Sequence, residues 1–300
     1  MTRFGNETIF TYGDYRLVRN GIAGYIQAEP KPTEEFLDQF YAEEYFQDSK
    51  VDYVSQQESD REWWDLVYRR RLQSLDNELH GSGRRILDVG CGPGFFLQTA
   101  QDQGWESVGI DPAPYAVDFA ISIGVDARVG RLDEDFVESV DQPFDVVHLH
   151  GVLEHVRDPI KVLDLIRRIL CANGLLYLSV ANDFNPIQMV LWKECGFDPW
   201  WICPPEHLNY FSKESLNELA IYTGYSIVTQ TSTFPIDLFL LMGENYVSDQ
   251  TLGKRLHRLR TTMELTLSKA RETNLTDAIN GAFNSIGLGR QLELIARRVP

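Results

Sequence analysis

Residues 84–94 read Arg-Arg-Ile-Leu-Asp-Val-Gly-Cys-Gly-Pro-Gly, an apolar run that breaks into glycines at every second position. Gly90, Gly92 and Gly94 can take backbone conformations closed to other residues. Lacking side chains, they let a small ligand lie directly against the main chain. The next apolar run, residues 105–110, ends at Asp111 and Pro112. An acid at the tip of the second strand of an open α/β sheet accepts from the two hydroxyls of a ribose. Together the turn and the acid make a cradle for a nucleoside ligand.

The residues around the glycines narrow the ligand. A dinucleotide fingerprint places a third glycine three residues after the second, where it brings the helix N-terminus to a pyrophosphate. Phe95 stands there, and Gly94 comes one residue early. Asp88, two residues before the first glycine, would repel a pyrophosphate but suits a ligand with a positive amino group. These departures disfavour a nicotinamide oxidoreductase and point to S-adenosylmethionine.

The stretch "ILDVGCGPG" (residues 86–94) resembles motif I of the class I S-adenosylmethionine-dependent methyltransferases. The likeness continues through "VGIDPA" (108–113), "FDVVHLHGVLEHVRDP" (144–159), "ANGLLYLSVAND" (172–183) and "PPEHLNYFSKESL" (204–216). Five blocks in order, spanning residues 84–233, are similar to the subgroup with ubiquinone-type O-methyltransferases and methyltransferases of sugar and secondary-metabolite pathways. The resemblance implies in-line transfer of a methyl group to a small-molecule acceptor, a hydroxyl of a sugar, phenolic or secondary-metabolite substrate. The alternative is a chain that binds S-adenosylmethionine without turning it over, as a sensor or partner subunit.

The resemblance also implies roles for single residues. Asp88 is expected at the cofactor's amino group, and Gly90, Cys91, Gly92 and Gly94, with Phe95 beside them, along its methionine moiety. Asp111, flanked by Pro112, takes the ribose, and the Leu132 backbone with the Asp133 carboxylate takes the adenine. The backbone carbonyl of His150 faces the amino-acid moiety. For removal of a proton from the acceptor, His207 in "PPEHLNYF" is the first candidate, because an imidazole titrates near neutral pH and Pro204 and Pro205 stiffen its approach. Its competing reading is a brace that holds a lid on the sheet. His150, at the carboxyl end of the fourth strand, is the second candidate. His148, inside that strand, reads as buried structure, and His155 as a loop tether. His80 and His257 complete the histidines.

From residue 84 onward strands and helices alternate, as in a doubly wound, Rossmann-like α/β fold. The patterning predicts strands over residues 84–89, 105–110, 125–129, 144–149, 174–181 and 224–232. "RQLELIAR" (290–297) alternates like an edge strand. The resemblance implies that this seventh strand is antiparallel to a mostly parallel sheet and lies between the fifth and sixth. The expected division is a helical N-terminal extension (1–83), a cofactor-binding core (84–233), a helical insertion that caps the acceptor (234–288) and the last core strand (289–300).

Within the extension, residues 15–27 read as a short hairpin. Thr33 reads as the N-cap of a helix to about residue 45, with Glu34 and Glu35 in its first turn. Residues 15–46 resemble the segment that in some relatives ends a zinc ribbon. No cysteine precedes Cys91, so that metal is not carried over and no metal site is expected. A second helix is expected over residues 60–79, with Trp63, Trp64 and Tyr68 either covering the cofactor cleft or packing on the sheet. Two insertions, 184–210 and 234–288, are expected to build the acceptor site, with Trp201, Tyr210, Asn245 and Tyr246 on it.

Composition fits an enzyme of small molecules. With 44 acidic against 28 basic residues, the formal charge of -16 repels phosphate backbones, so nucleic acid and anionic membranes are poor partners. The basic clusters at residues 69–71 and 254–260 read as solvated helix faces. No run of 18 apolar residues occurs, and the N-terminus lacks a signal-peptide core, which predicts a cytoplasmic protein with its four cysteines as thiols. Nothing in the sequence indicates an oligomeric state.

Overall fold

Three short antiparallel strands, β1 (Thr8–Tyr12), β2 (Tyr15–Arg19) and β3 (Ile26–Glu29), open the chain in the computed structural model, which describes residues 4, 5, 7–40, 53–79, 81 and 83–299. The expected hairpin is β2 and β3, extended by one strand. Helix α1 (Glu34–Gln39) starts at Thr33, whose side chain accepts from the Phe36 N–H at 3.1 Å. Its predicted continuation over residues 41–45 lies outside the described residues, as does His80. Helices α2 (Tyr53–Ser59) and α3 (Arg61–Glu78) follow.

The core then alternates: β4 (Arg85–Val89), α4 (Phe95–Asp102), β5 (Glu106–Asp111), α5 (Pro114–Ser122), β6 (Ala127–Val129), α6 (Glu134–Glu138), β7 (Phe144–His150), α7 (Pro159–Ile169) and β8 (Leu170–Ala181). The first insertion holds α8 (Pro186–Cys195) and β9 (Asn209–Tyr210), and α9 (Lys213–Tyr222) leads to β10 (Tyr225–Ser232). The second holds α10 (Leu238–Leu241), α11 (Gln250–Lys269) and α12 (Thr273–Ser285), before β11 (Gln291–Arg298). The seven-stranded sheet has the order β10-β11-β8-β7-β4-β5-β6. Strand β11 runs antiparallel to both β8 and β10, the predicted place and direction for the last strand.

The sheet's two faces differ where β7, β8, β11 and β10 lie side by side. One face is apolar: Leu149, Leu178, Val180, Leu292 and Leu294 pack with Leu163 and Ile166 of α7 and Leu216 and Leu219 of α9. On the other, directly opposed residues share a side of the sheet. The register His150↔Ser179↔Glu293↔Thr231, and beside it His148↔Tyr177↔Ile295↔Thr229, therefore lines up a mainly polar stripe across four strands. Helix α3 covers that stripe, and α11 packs on α3. The Trp63 Nε1–H donates to Glu264 at 2.6 Å, and the Arg260 guanidinium lies 4.3 Å from the Trp63 ring centre.

Two expectations change at this level. The tryptophan-rich first insertion is no wall of an open site: Trp201, Ile202, Leu208 and Tyr210 form an apolar core with Leu17, Ile26, Ala28 and Leu37. The cause is β9, which pairs with β3 and makes the N-terminal strands and the insertion one four-stranded sheet. The basic clusters are not wholly solvated either. Arg71 is 5% exposed, because α3 turns one of its three consecutive arginines onto the sheet, and the Arg260 side chain is 11% exposed beneath α11.

Candidate active site

Strands β4, β5 and β7 end at a cavity of about 480 Å³, lined among others by Gly90, Gly92, Asp111, Pro112, Leu132, Asp133 and His150. The turn after β4 explains the glycines. Gly90 has φ +75°, and a Cβ there would stand 2.5 Å from Val152 Cγ2, so a side chain is excluded both by backbone strain and by contact. The Gly90 and Cys91 N–H groups donate to the Ile110 carbonyl at 2.7 and 3.1 Å, which ties the turn to β5. Gly94 starts α4 in the left-handed conformation against Ala120. Cys91 and Phe95 are buried behind the turn, in the apolar cluster with Leu97 and Val117, and do not line the cavity.

Asp111 closes the far side. Its two carboxylate oxygens accept from the backbone N–H groups of Gly92 and Ala113, each at 2.9 Å. A carboxylate offers about four acceptor positions, so two are left for a ligand. Burial pushes its pKa up to about 6 against the lowering effect of those two N–H bonds. Asp133 spends one oxygen as the N-cap of α6, accepting from Phe136 N–H at 2.8 Å.

Asp88 is not on the wall of this cavity. Its carboxylate bonds His148 Nδ1 at 2.6 Å beneath the sheet surface. Arg71 Nη1 donates to His148 Nε2 at 3.0 Å, which leaves the imidazole proton on Nδ1, where Asp88 accepts it. Burial raises the Asp88 carboxyl, and burial with the Arg71 charge holds His148 neutral.

A second cavity, of about 540 Å³, opens over the polar stripe between α3, α11, α12 and strands β10 and β11. Trp63, Trp64, Arg71, Tyr177, Thr229, Thr231, Tyr246, Arg290 and Glu293 are on its wall. Glu293 accepts from the Tyr177 hydroxyl at 2.7 Å and from Arg71 at 3.3 Å. His150 lines the first cavity, and its ring touches the wall of the second: Nδ1 lies 3.5 Å from Arg71 Nη2, and the ring centre is 6.1 Å from that of Trp64. Burial, reinforced by the Arg71 charge, lowers the His150 pKa well below the usual imidazole range.

The remaining predicted residues scatter. His207 lines neither cavity; its ring meets His155 edge-on at 4.9 Å, and its carbonyl accepts from the Tyr210 hydroxyl. Trp201 and Tyr210 are buried in the small sheet, and Asn245 is exposed. Tyr246 is on the second cavity, donating its hydroxyl to Asp237 at 2.7 Å. Among the described residues, Glu154, His155 and His207 bring three possible metal-ligand atoms within 4.8 Å of one another. Arg71, Glu293 and the β10 threonines were missed; the period-two alternation in "QLEL" gives the polar face that carries Glu293 but not its cover, while "TQTST" is polar at every position and marks no face.

The first cavity fits S-adenosylmethionine. A side-chain-free turn faces an acid with open acceptor positions, as a nucleoside with an amino-acid tail requires. Seven strands in this order, with the turn after β4 and the acid at the tip of β5, define the class I methyltransferase architecture. Residues 55–230, more than half of the chain, match the model of the methyltransferase domain family, and the chain belongs to that family. S-adenosylmethionine, the cofactor expected from the sequence, is the one that class uses.

Among curated proteins, the ubiquinone biosynthesis O-methyltransferase of Xylella fastidiosa strain 9a5c is 32% identical over 135 residues, 40% of this chain and 54% of that protein. The chain thus spans about half the length of the curated relatives it matches. A SAM-dependent methyltransferase from Archaeoglobus fulgidus superposes with a TM-score of 0.53 at 19% identity, over 82% of this chain and 99% of that one. The magnesium protoporphyrin IX methyltransferase of Synechocystis, solved with bound S-adenosylhomocysteine, gives 0.50 at 14% identity, over 85% and 96%. No helix among the described residues is long and apolar enough to cross a membrane.

Proposed function

We propose that the protein transfers a methyl group from S-adenosylmethionine to a hydroxyl of a small-molecule acceptor, with cofactor in the first cavity and acceptor in the second. The observation that carries this reading is His150, which lines one cavity and touches the wall of the other. When bound, the cofactor supplies a methyl group already activated on a sulfonium, so the chain has to align the acceptor, exclude water and deal with one proton.

His150 is the residue at that junction. Held neutral by burial, it takes the proton of an acceptor hydroxyl on Nδ1 when that hydroxyl displaces Arg71 Nη2, 3.5 Å away, from the atom. Trp64 stands edge-on to the His150 ring, with ring centres 6.1 Å apart. His207 lies among packing partners, which supports the brace rather than the proton acceptor. The relatives' chemistry, O-methylation by a protein named for ubiquinone biosynthesis, supports a hydroxyl as the methylated group.

The experiment pairs binding with turnover. Calorimetry should show S-adenosylhomocysteine binding in the micromolar range, and the absence of binding would remove the methyltransferase reading. His150→Ala should then lower transfer to a hydroxyl acceptor by about 10²-fold, whereas His207→Ala should lower thermal stability more than turnover. The reverse pattern would return His207 to the chemistry.

A further inference from the structure

The wall of the second cavity is mainly apolar and holds one cation without a partner. Val67, Phe234, Ile236, Phe239, Leu256 and Ile295 line it. Four arginines stand among them, and three hold a carboxylate of the same wall: Arg70 with Asp277, Arg71 with Glu293 at 3.3 Å, and Arg260 with Glu264 at 3.4 Å. The fourth is Arg290, and among the described residues it forms no ion pair.

Arg290 stands just before β11, where its backbone carbonyl accepts from the Asn182 N–H at 3.1 Å. Burial works against its charge, and the carboxylates of Asp183 and Asp237, which are not on the wall, favour it. Neither acid occupies its hydrogen bonds. The Asp237 oxygens accept from the Tyr246 hydroxyl at 2.7 Å and from the Asn185 amide at 3.3 Å. Burial pushes the Asp183 pKa up to about 7, so near neutral pH that acid carries only part of a charge. An arginine presents five donors in a planar fork. Here the fork borders an apolar cavity, and the partner it lacks is the oxyanion of a ligand.

We propose that Arg290 anchors the acceptor through a carboxylate, and that the acceptor is an apolar acid whose methylated hydroxyl lies at its other end. The proposal rests on the methyltransferase reading and names its substrate class. A carboxylate meets the fork with two parallel bonds and brings one negative charge to one unpaired cation, whereas a phosphate dianion leaves a charge over in an apolar site. The strand register sets the separation. His150 stands in the row His150↔Ser179↔Glu293, and Arg290 precedes Glu293 by three residues, about 10 Å of strand. The carboxylate is thus held away from the methyl group, and the product is a methyl ether that keeps its acid.

The test uses the full chain with S-adenosylhomocysteine bound and titrates ligands by calorimetry. The probes are 6-hydroxy-2-naphthoate, 4′-hydroxybiphenyl-4-carboxylate and 4-hydroxycinnamate, each against its own primary amide, which has the same shape without the charge. At least one acid should bind about tenfold tighter than its amide. Arg290→Lys keeps a positive charge beside Asp183 and Asp237 but gives up the fork. In that variant the preference should fall to about threefold, with S-adenosylhomocysteine affinity unchanged. The wild-type comparison decides the charge by itself: equal affinity for acid and amide in every pair overturns the proposal, as does binding of none of the acids at their solubility limit. A tenfold preference that survives Arg290→Lys places the anion on another cation and overturns the assignment to Arg290. Failure of S-adenosylhomocysteine to bind at all strikes the methyltransferase reading instead, so the two failures are told apart.

Discussion

The two cavities lie on either side of His150 and are built by opposite means. The first is made of backbone: a glycine turn, the Gly90 and Cys91 N–H groups that hold it to β5, and one acid whose oxygens are fixed by the N–H groups of Gly92 and Ala113. The second is made of side chains from helices α3, α10, α11 and α12 and strands β8, β10 and β11, held by ion pairs such as Arg70 with Asp277 and Arg71 with Glu293. A backbone cradle tolerates no added atom, because the ligand must touch the main chain. A side-chain wall can change one residue at a time and keep its shape. The common cofactor therefore belongs with the rigid half and the particular acceptor with the adjustable one.

The largest effect that would separate the halves is Gly90→Ala. The added methyl would stand 2.5 Å from Val152 Cγ2 on a backbone at φ +75°, so the turn has to move. Strain of this kind costs about 1–3 kcal/mol, and displacement of the cradle adds to it. Cofactor binding measured by calorimetry should be lost while the circular dichroism of the fold is retained. Wild-type affinity in that variant would mean that the cradle is not where the cofactor lies.

That same contrast sets what could be read from the sequence. The glycine turn at Gly90 and Gly92 and the acid Asp111 at the tip of β5 were legible because short runs fix their conformation and place in the fold, and the strand order followed from alternation and resemblance. Arg71 was misread as solvated because three successive arginines do not say which of them α3 turns inward. The alternation of "QLEL" marks a polar side of the strand but not what lies over it, because α3 and α11 are brought there by folding and not by local pattern. Trp201 and Tyr210 were taken for a ligand wall because aromatic content is the same in a wall and in a core. Only the pairing of β9 with β3 decides between them.

An intermediate effect sharpens the comparison through pH. Burial holds the Asp111 pKa up to about 6, and only the ionised carboxylate accepts from both ribose hydroxyls. Above that pH the binding form is already present; as pH falls through about 6 the proton competes with the ligand. Affinity for S-adenosylhomocysteine should therefore be flat from about pH 7 upward and fall about tenfold by pH 5. Asp111→Asn should remove that step and weaken binding by about 1.5–3 kcal/mol at neutral pH. A pH step that survives in the variant would place the titrating group elsewhere.

The smallest effect belongs to the second cavity's cover. Trp63 of α3 donates its Nε1–H to Glu264 of α11 at 2.6 Å, with both residues buried. Trp63→Phe keeps most of the apolar surface but leaves one Glu264 oxygen without that donor, while Arg260 still pairs with the other at 3.4 Å. Losing one hydrogen bond to a partly compensated buried carboxylate costs about 1–2 kcal/mol. In a chain of this size the melting temperature should drop by about 2–8 °C. Because the clip joins side chains of the adjustable half, cofactor affinity should stay at the wild-type value. If the variant bound S-adenosylhomocysteine markedly more weakly, α3 would have to be counted as part of the rigid cradle, and the division at His150 would be drawn in the wrong place.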